Sequence, residues 1–339
     1  MITIKYFLII LFLIIIFQKN KEEFNIIYTY DDVLKNKTAT PFPIDIVYTW
    51  SGESKSNDIR TRNNDELKYS IKSIIKYAPW LNRIFILMNP PKKKPSWFND
   101  DYTKIITLVD QSETFPDNYK LPNKNSCAIE TTLHNIKGLS EHFIYFNDDL
   151  FLGKMSNYTD FFTKDGKALI SDTILDKKSM MINNNNILKL KYPHTAGFYP
   201  HLPYPIIKSQ YEKYIKEYKG YVNWIRSFDT RNGDGCDICY LNELECPCQE
   251  FHHPFGIYMY ENNKAVLKKI KTKNGDFYNP LDGYINSYNL DYLDKFIDDS
   301  PLFICINDDG LNDKFYENNR KKILNFFEKK YNFKIFFEI

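Results

Sequence analysis

Between residues 41 and 150 the apolar positions alternate between short continuous runs and helical stripes. After Pro41-Phe42-Pro43, the run Ile44-Asp45-Ile46-Val47-Tyr48-Thr49-Trp50 reads as a first buried strand, turned at Gly52. Leu67, Ile71, Ile74, Ile75 and Ala78 then recur at helical spacing. Asn63 or Asn64 is placed to cap that helix, Asp65-Glu66 falls in its first turn, and Pro79 stops it. Further apolar runs predict strands over 84–88, 105–109 and 143–146, with a helix over 128–135 between the last two. Strands that alternate with helices argue for an α/β fold: a mainly parallel sheet with helices on both faces.

One phrase occurs twice. Phe143-Ile144-Tyr145-Phe146-Asn147-Asp148-Asp149 and Phe303-Ile304-Cys305-Ile306-Asn307-Asp308-Asp309 each read as a buried strand that delivers carboxylates to its end. Open α/β sheets keep their ligand sites in the loops beyond such strand ends. Paired carboxylates there suit a hard divalent cation, Mg2+ or Mn2+, and the phosphates it carries. Asn and Asp are also ordinary turn formers, so a single copy would read as a strand-ending turn. Two copies weaken that alternative, and their unmatched flanks argue against an internal duplication.

The rest of the second half, rich in Tyr, Pro and Asn until about residue 300, resolves into no topology by pattern; it completes the site as an irregular segment. A C-terminal helix carries Phe315, Ile323, Phe326 and Phe327 on its apolar side. The chain therefore divides into a signal anchor (1–18), a polar stem (19–40) and one folded domain (41–339) with two halves (41–175 and 176–339). The apolar stretch 6–17 is short for a span, but it reaches bilayer length if Lys5 snorkels and the helix extends back to Ile2. With no small-residue cleavage pattern after it, an uncleaved anchor is expected. The arrangement is that of a single-pass type II membrane protein with a lumenal or extracytoplasmic catalytic part.

With 339 residues, 43% of them hydrophobic, the chain buries a sizeable core; a net charge of +2 with short, scattered basic clusters gives no nucleic-acid footprint. Four of the six cysteines lie in Cys236-x2-Cys239-x6-Cys246-Pro247-Cys248. Structural Zn2+, with His252 or His253 as further ligands, and a pair of disulfides fit this spacing equally.

By residue type the remaining candidates are Asp45, Asp65, Glu66, Asp148, Asp149, Asp308 and Asp309 as acids, His134, His194 and His201 as bases, and Arg60, Arg62, Arg226 and Arg231 as phosphate clamps. No nucleophile elbow, Walker loop or zinc-protease helix is present. Acids at strand ends, arginines and a histidine suit group transfer from a nucleotide donor, with charge stabilised in the transition state and a proton removed from the acceptor hydroxyl. Asp65 and Glu66 serve a helix dipole equally well. A histidine such as His142 reads as a structural residue.

The blocks Ile44 to Trp50, Asn64 to Ile74, Tyr77-Ala78-Pro79-Trp80, Ala128-Ile129-Glu130 and Gly138 to Asp149, followed by His201-Leu202-Pro203, Arg231 to Asp237 and Phe303 to Asp308, resemble in order the Stealth family of sugar-phosphate transferases. This resemblance implies a glycosyltransferase-like α/β fold. The implied reaction moves hexose-1-phosphate from a UDP-sugar, typically UDP-N-acetylglucosamine, to a hydroxyl of a glycan or glycoprotein, and releases UMP. It further implies Asp148 and Asp149 as the metal site, and Tyr48, Thr49, Trp50, Asn64, Asp65, Glu66, Asn147 and Asn307 as donor-binding residues. His201 is implied as the proton acceptor and Arg231 as a phosphate clamp beside Asp237, with Asp308 closing the catalytic set. The chain departs from the family in a shortened Trp50-Ser51-Gly52 loop, in Asn63 for Asp and in Thr132 for His. Two other readings stay open: a metal-dependent glycosyltransferase that moves the sugar alone, and an inactive glycan-binding module.

Overall fold

Runs rich in Ile, Val, Phe and Tyr become neighbouring strands because both of their faces are covered. A computed structural model describes residues 27–53, 63–171, 202–229, 252–268, 283–286, 289–307 and 313–339. The apolar stretch 6–17, His194, His201, Arg60, Arg62, Arg231, Asp237, Asp308, Asp309 and the cysteines at 236, 239, 246 and 248 lie outside the described residues. Among the described residues, no helix is long and apolar enough to cross a membrane.

The chain begins with β1 (Ile27–Tyr28), α1 (Tyr30–Lys35), β2 (Ile44–Trp50), α2 (Glu66–Tyr77), β3 (Ile84–Met88), β4 (Ile106–Asp110), α3 (Ser126–Glu130), β5 (His142–Phe146), β6 (Leu150–Leu152) and β7 (Ala168–Ser171). It continues through β8 (Tyr204–Ile207), α4 (Lys208–Glu217), α5 (Lys219–Arg226), α6 (His252–Glu261), β9 (Ala265–Lys268), β10 (Tyr284–Asn286), β11 (Phe303–Asn307), α7 (Asp313–Lys330) and β12 (Lys334–Ile335). The central sheet has the order β4-β3-β2-β5-β8. Its first four strands are parallel and β8 closes the edge antiparallel. A second sheet, β10-β11-β6, starts where β5 ends.

Helices cover both faces of the central sheet, as the alternation predicts. Along β2 and β5 successive side chains point to opposite faces. Tyr48 and Phe146 face α2, where the Tyr48 hydroxyl meets Ser70 Oγ at 2.7 Å. Tyr145 faces the other way and donates to Glu130 Oε1 of α3 at 3.2 Å, while Tyr211 of α4 donates to the Glu130 carbonyl at 2.9 Å.

The C-terminal segment seals the α2 face. Phe327 is fully buried, stacked on Tyr69 of α2 (centroids 4.6 Å apart) and tilted against Phe151 of β6 (4.9 Å). Tyr331 donates to the Leu152 carbonyl at 3.1 Å, and Glu338 takes Lys68 and Lys72 of α2 at 3.3 and 3.5 Å.

Three expectations change. Residues 27–35, read above as stem, fold onto the domain: β1 pairs with β12 and Tyr28 packs on Phe333 with centroids 4.9 Å apart. The helix expected over 128–135 stops at Glu130, because Thr131 and Thr132 turn their hydroxyls back onto the carbonyls of Ala128 and Ile129 at 2.6 and 2.7 Å. A short 3-10 turn, Leu133–Asn135, follows. Asp45 is no site acid. It is fully buried near the far end of β2, where it accepts from Asn82 Nδ2 and the Ser140 amide, both at 2.7 Å. His142 is structural, stacked on Phe42 at 3.9 Å with Nε2 2.9 Å from the Gly166 carbonyl.

Truncating a fully buried aromatic that joins two elements costs about 3–5 kcal/mol. Phe327→Ala should therefore lower the urea midpoint by that equivalent. A loss below about 1 kcal/mol in equilibrium unfolding would show that α7 does not hold the α2 face.

Candidate active site

The site is built by two strand ends that meet. The chain leaves β5 at Phe146, turns through Asn147-Asp148-Asp149 with the Leu150 amide bonding the Asn147 carbonyl at 3.2 Å, and returns as β6. β11 runs antiparallel to β6, with Cys305 opposite Leu150. One residue further, the Ile306 amide donates to the Asp149 carbonyl at 2.9 Å. The strands of the two phrases are thus brought side by side: Cys305 Sγ lies 3.6 Å from Asp149 Oδ2, although 156 positions separate the two residues in the chain. Asn307 ends β11 and is half-buried there.

The third carboxylate comes from α2. Glu66 is its first residue and is half-buried, with Oε2 taking the Asn64 amide and Oε1 the Asn64 Nδ2, both at 2.7 Å. Asn64 is held in turn by the Tyr316 hydroxyl at 3.1 Å. The helix start differs from the expected cap. Asp65 holds the cap position in the left-handed conformation (φ 63°) with no side-chain cap, and its amide is taken by Asn63 Oδ1 at 2.9 Å. Asn64 is fixed to the Glu66 carboxylate, not to the helix amides.

These acids oppose one another. Burial, then the negative charges of Glu66 and Asp149, hold the Asp148 carboxyl well above the usual carboxylate range. Burial also pushes Glu66 up to about 7, against the hydrogen bonds from Asn64. Asp65 is raised mainly by burial. No positive charge figures among the main influences on Asp148 or Glu66.

Several residues expected to wall the donor are tied to the elements that carry the acids. Tyr48 is fully buried; its hydroxyl joins Ser70, which donates to the Leu150 carbonyl beneath the Asp148-Asp149 turn. Burial and the Asp148 charge keep that phenol un-ionised. Asn64 and Trp50 are buried as well, at 1% and 7% exposure. Thr49 is half-buried, with Oγ1 2.9 Å from the Tyr145 hydroxyl. Buried groups of this kind set the geometry of the pocket floor. Arg226, a candidate clamp, is buried against Thr131 on the α3 side, away from the acids. Of two further contributors, Tyr316 had no signal of its own in the sequence and is reached only through the fold, whereas Cys305 stood in the second phrase in the Tyr145 position.

Carboxylates with raised proton affinity and no balancing cation are a donor set that a hard divalent ion satisfies. Asp148 and Asp149 would hold it, with Glu66 beside them. Among the described residues no three His, Cys, Asp or Glu side chains gather closely enough to hold an ion, so any further ligands come from elsewhere.

A mostly parallel α/β sheet with Asp148, Asp149 and Glu66 gathered beyond its strand ends is the frame of a group-transfer site. The model for Stealth protein CR2, conserved region 2, matches residues 60–170, the span that carries Glu66, Asp148 and Asp149. A capsular polysaccharide phosphotransferase of Actinobacillus pleuropneumoniae is 30% identical over 276 residues, covering 64% of this chain and 74% of that protein. One from Haemophilus influenzae is 28% identical over 335 residues, 85% of this chain and 84% of that protein. An exopolysaccharide phosphotransferase of Streptomyces coelicolor is 40% identical over 143 residues, and this chain spans only 24% of its length. The chain belongs to the Stealth family and is a transferase. Among solved structures, an active-site mutant of LgtC overlaps 83% of this chain and 95% of its own at 10% identity with a TM-score of 0.38, a superposition too loose to argue from.

A group whose folded form prefers its proton adds stability below its ordinary pKa and loses it as pH rises through the folded value. For Glu66 that window runs from about 4.5 to about 7, and Asp148 acts in the same direction. Without divalent ions, stability should therefore fall between pH 5 and 8, by on the order of 2 kcal/mol. Asp148→Asn should flatten the fall and raise stability at pH 8 by about 1 kcal/mol. Millimolar Mg2+ or Mn2+ should restore the wild type at pH 8 but not the variant. Thermal melts with and without EDTA check this; a wild type as stable at pH 8 as at pH 5, with or without ion, would mean the acids are not poised in this way.

Proposed function

We propose that the protein transfers hexose-1-phosphate, in the first instance N-acetylglucosamine-1-phosphate, from a UDP-sugar to a hydroxyl of a polysaccharide, and releases UMP. The observation that carries this reading is the meeting of Asp148-Asp149 with the β11 end, on the same side of the sheet as Glu66. Sugar-phosphate transfer to polysaccharide accords with the phosphotransferase relatives; the particular donor and product belong to the proposal.

The acceptor oxygen attacks the sugar-linked phosphorus. One P–O bond forms to the glycan, the P–O bond to the bridging oxygen breaks, UMP leaves with that oxygen, and the hydroxyl proton passes to a base. When bound, a divalent ion supplies neutralisation of the diphosphate charge. The chain's own residues set the stage. The Tyr48–Ser70–Leu150 relay and the Ile306–Asp149 bond fix the carboxylates before the donor arrives, so they need little reorganisation during reaction. Asn64 holds Glu66 in one rotamer. On the family resemblance, His201 takes the proton, Arg231 with Asp237 grips phosphate, and Asn147, Asn307 and Asp308 complete the pocket. The proposal includes attachment to a membrane through the apolar segment 6–17, with the catalytic part outside the cytoplasm.

UDP-N-acetylglucosamine labelled in the sugar-linked phosphate tests the reaction. The label should move to the glycan with one UMP per transfer, and Asp149→Asn should lower the rate at least about a hundredfold while the urea midpoint is kept. Label remaining in released UDP would establish transfer of the sugar alone. Glycan binding without any turnover would leave a binding module.

A further inference from the structure

A diphosphate gripped by an ion on one side keeps negative oxygens on the other, and those oxygens call for a fixed cation of the protein. The described residues include three arginines, Arg83, Arg226 and Arg320. Arg83 is bonded to Asp45 at 3.5 Å, near the far end of β2. Arg226 lines a cavity of about 580 Å³ together with Lys216 of α4 and Lys219 of α5, on the α3 side of the sheet and away from the acids. Arg320 differs from both, because its helix, α7, bonds the site itself.

α7 runs along α2 in the same direction, with its start at the site. In its first turns the Tyr316 hydroxyl donates to Asn64 Oδ1 at 3.1 Å, and further along Phe327 stacks on Tyr69 with centroids 4.6 Å apart. At 3.6 residues per turn, positions 316, 320, 323 and 327 share one face of the helix. Ile323 and Phe327 on that face are buried. Arg320 therefore leaves α7 on the side of α2, about 6 Å along the axis from Tyr316 and beside the start of α2. Its charge reaches Asp65, the residue before Glu66, where it opposes the effect of burial.

The Arg320 side chain is half-buried. Among the described residues no carboxylate lies within ion-pair distance of it. Lys68, the other cation whose charge reaches Asp65, is taken by Glu338 at 3.3 Å. A guanidinium offers five N–H donors in a planar fork that matches two phosphate oxygens at once. Placed at the edge of an acid cluster and held by no acid of its own, it suits a ligand that carries an ion on one side and open phosphate oxygens on the other.

We propose that Arg320 grips the donor diphosphate from the α7 side while the ion at Asp148-Asp149 holds it from the other, and that it stays on the phosphate of UMP as that product leaves. The electron pair of the breaking P–O bond goes to the UMP oxygen, and Arg320 gains and loses no proton. The assignment rests on the UDP-sugar donor proposed above, and it is testable without turnover.

The full chain would be titrated calorimetrically with uridine, UDP and inorganic pyrophosphate, each in the presence of Mn2+. Arg320→Ala should weaken UDP and pyrophosphate at least about tenfold, with uridine binding and the urea midpoint in EDTA unchanged. Arg320→Lys keeps the charge but not the fork, so its losses should fall between those of wild type and Arg320→Ala. The next residue, Lys321, is exposed; Lys321→Ala makes the same change in net charge and should bind UDP as wild type does. UDP and pyrophosphate binding by Arg320→Ala equal to wild type, or a loss as large in Lys321→Ala, overturns the assignment. So does an equal loss of uridine, or a lowered urea midpoint, since either would make Arg320 a support of the fold. If UDP binds no more tightly than pyrophosphate, the uridine donor fails, and a tenfold loss of pyrophosphate in Arg320→Ala still upholds the grip. If a UDP-sugar yields UDP and not UMP, hexose-1-phosphate transfer fails while the same loss keeps Arg320 in place.

Discussion

The antiparallel ladder between β6 and β11 is the constraint on which the site depends. Without it, Asp148-Asp149 would be an ordinary turn at the end of β5, and the second acidic phrase would belong to a remote loop. The ladder is short, so its closeness matters. Two glycines press on the start of β11 from either side. A Cβ on Gly153 would lie 2.3 Å from the Pro301 carbonyl oxygen, and one on Gly283, already at φ 102°, would lie 2.2 Å from that of Phe303. Any side chain at either position would push the strands apart. Loop closure over so long a stretch of chain is entropically costly, though the cost grows only slowly with length. The fold offsets it by extending the pairing to β10 and burying Phe151, Ile304 and Cys305 in the same core.

Bringing acids together in a half-buried place works against folding. Asp148 and Glu66 hold their protons more tightly than free carboxyls because burial and mutual repulsion disfavour the charged forms. The surrounding structure keeps them there through bonds that do not depend on their charge. Ser70 and Ser73 of α2 bond the backbone of β6 at Leu150 and Leu152, and Phe327 clamps α2 to Phe151. The left-handed Asp65 belongs to the same pattern. A non-glycine residue in that conformation costs about 1 kcal/mol or more, and here it sets the direction from which Glu66 enters the site.

Much of this architecture was legible in the sequence because period and chemistry agreed. Continuous runs of Ile, Val, Phe and Tyr could only be strands covered on both faces, so β2, β3 and β5 and the helix α2 fall where the pattern puts them. The repeated phrase marked two strands of one kind, and pairing of β6 with β11 brings those strands together as far as Asn307. What the pattern could not show is tertiary. Asp45 has the same residue type as Asp148, and only its place near the opposite end of the sheet, between Asn82 and Ser140, makes it structural. Tyr48 and Asn64 lie inside motif blocks, yet their side chains turn inward to support Leu150 and Glu66. The stop after Glu130 depends on threonine hydroxyls that compete for carbonyls, a local effect that apolar periodicity does not register. Residues 27–35 looked like linker because β1 gains its partner from β12, at the other end of the chain.

The two faces of the sheet thus carry different duties. On the α2 face, neutral bonds and stacked aromatics hold charges of one sign together, as a site for a cation and its phosphates requires. On the α3 face, Arg226 and the lysines of α4 and α5 gather the other sign, and no acid among the described residues neutralises them directly. Glu130 sits between the two, its carboxylate turned toward Tyr145 and its carbonyl taken by Tyr211. Through Tyr145 it is joined to Thr49 at the end of β2. Separation by a single rigid layer lets opposite charges coexist without collapsing into ion pairs.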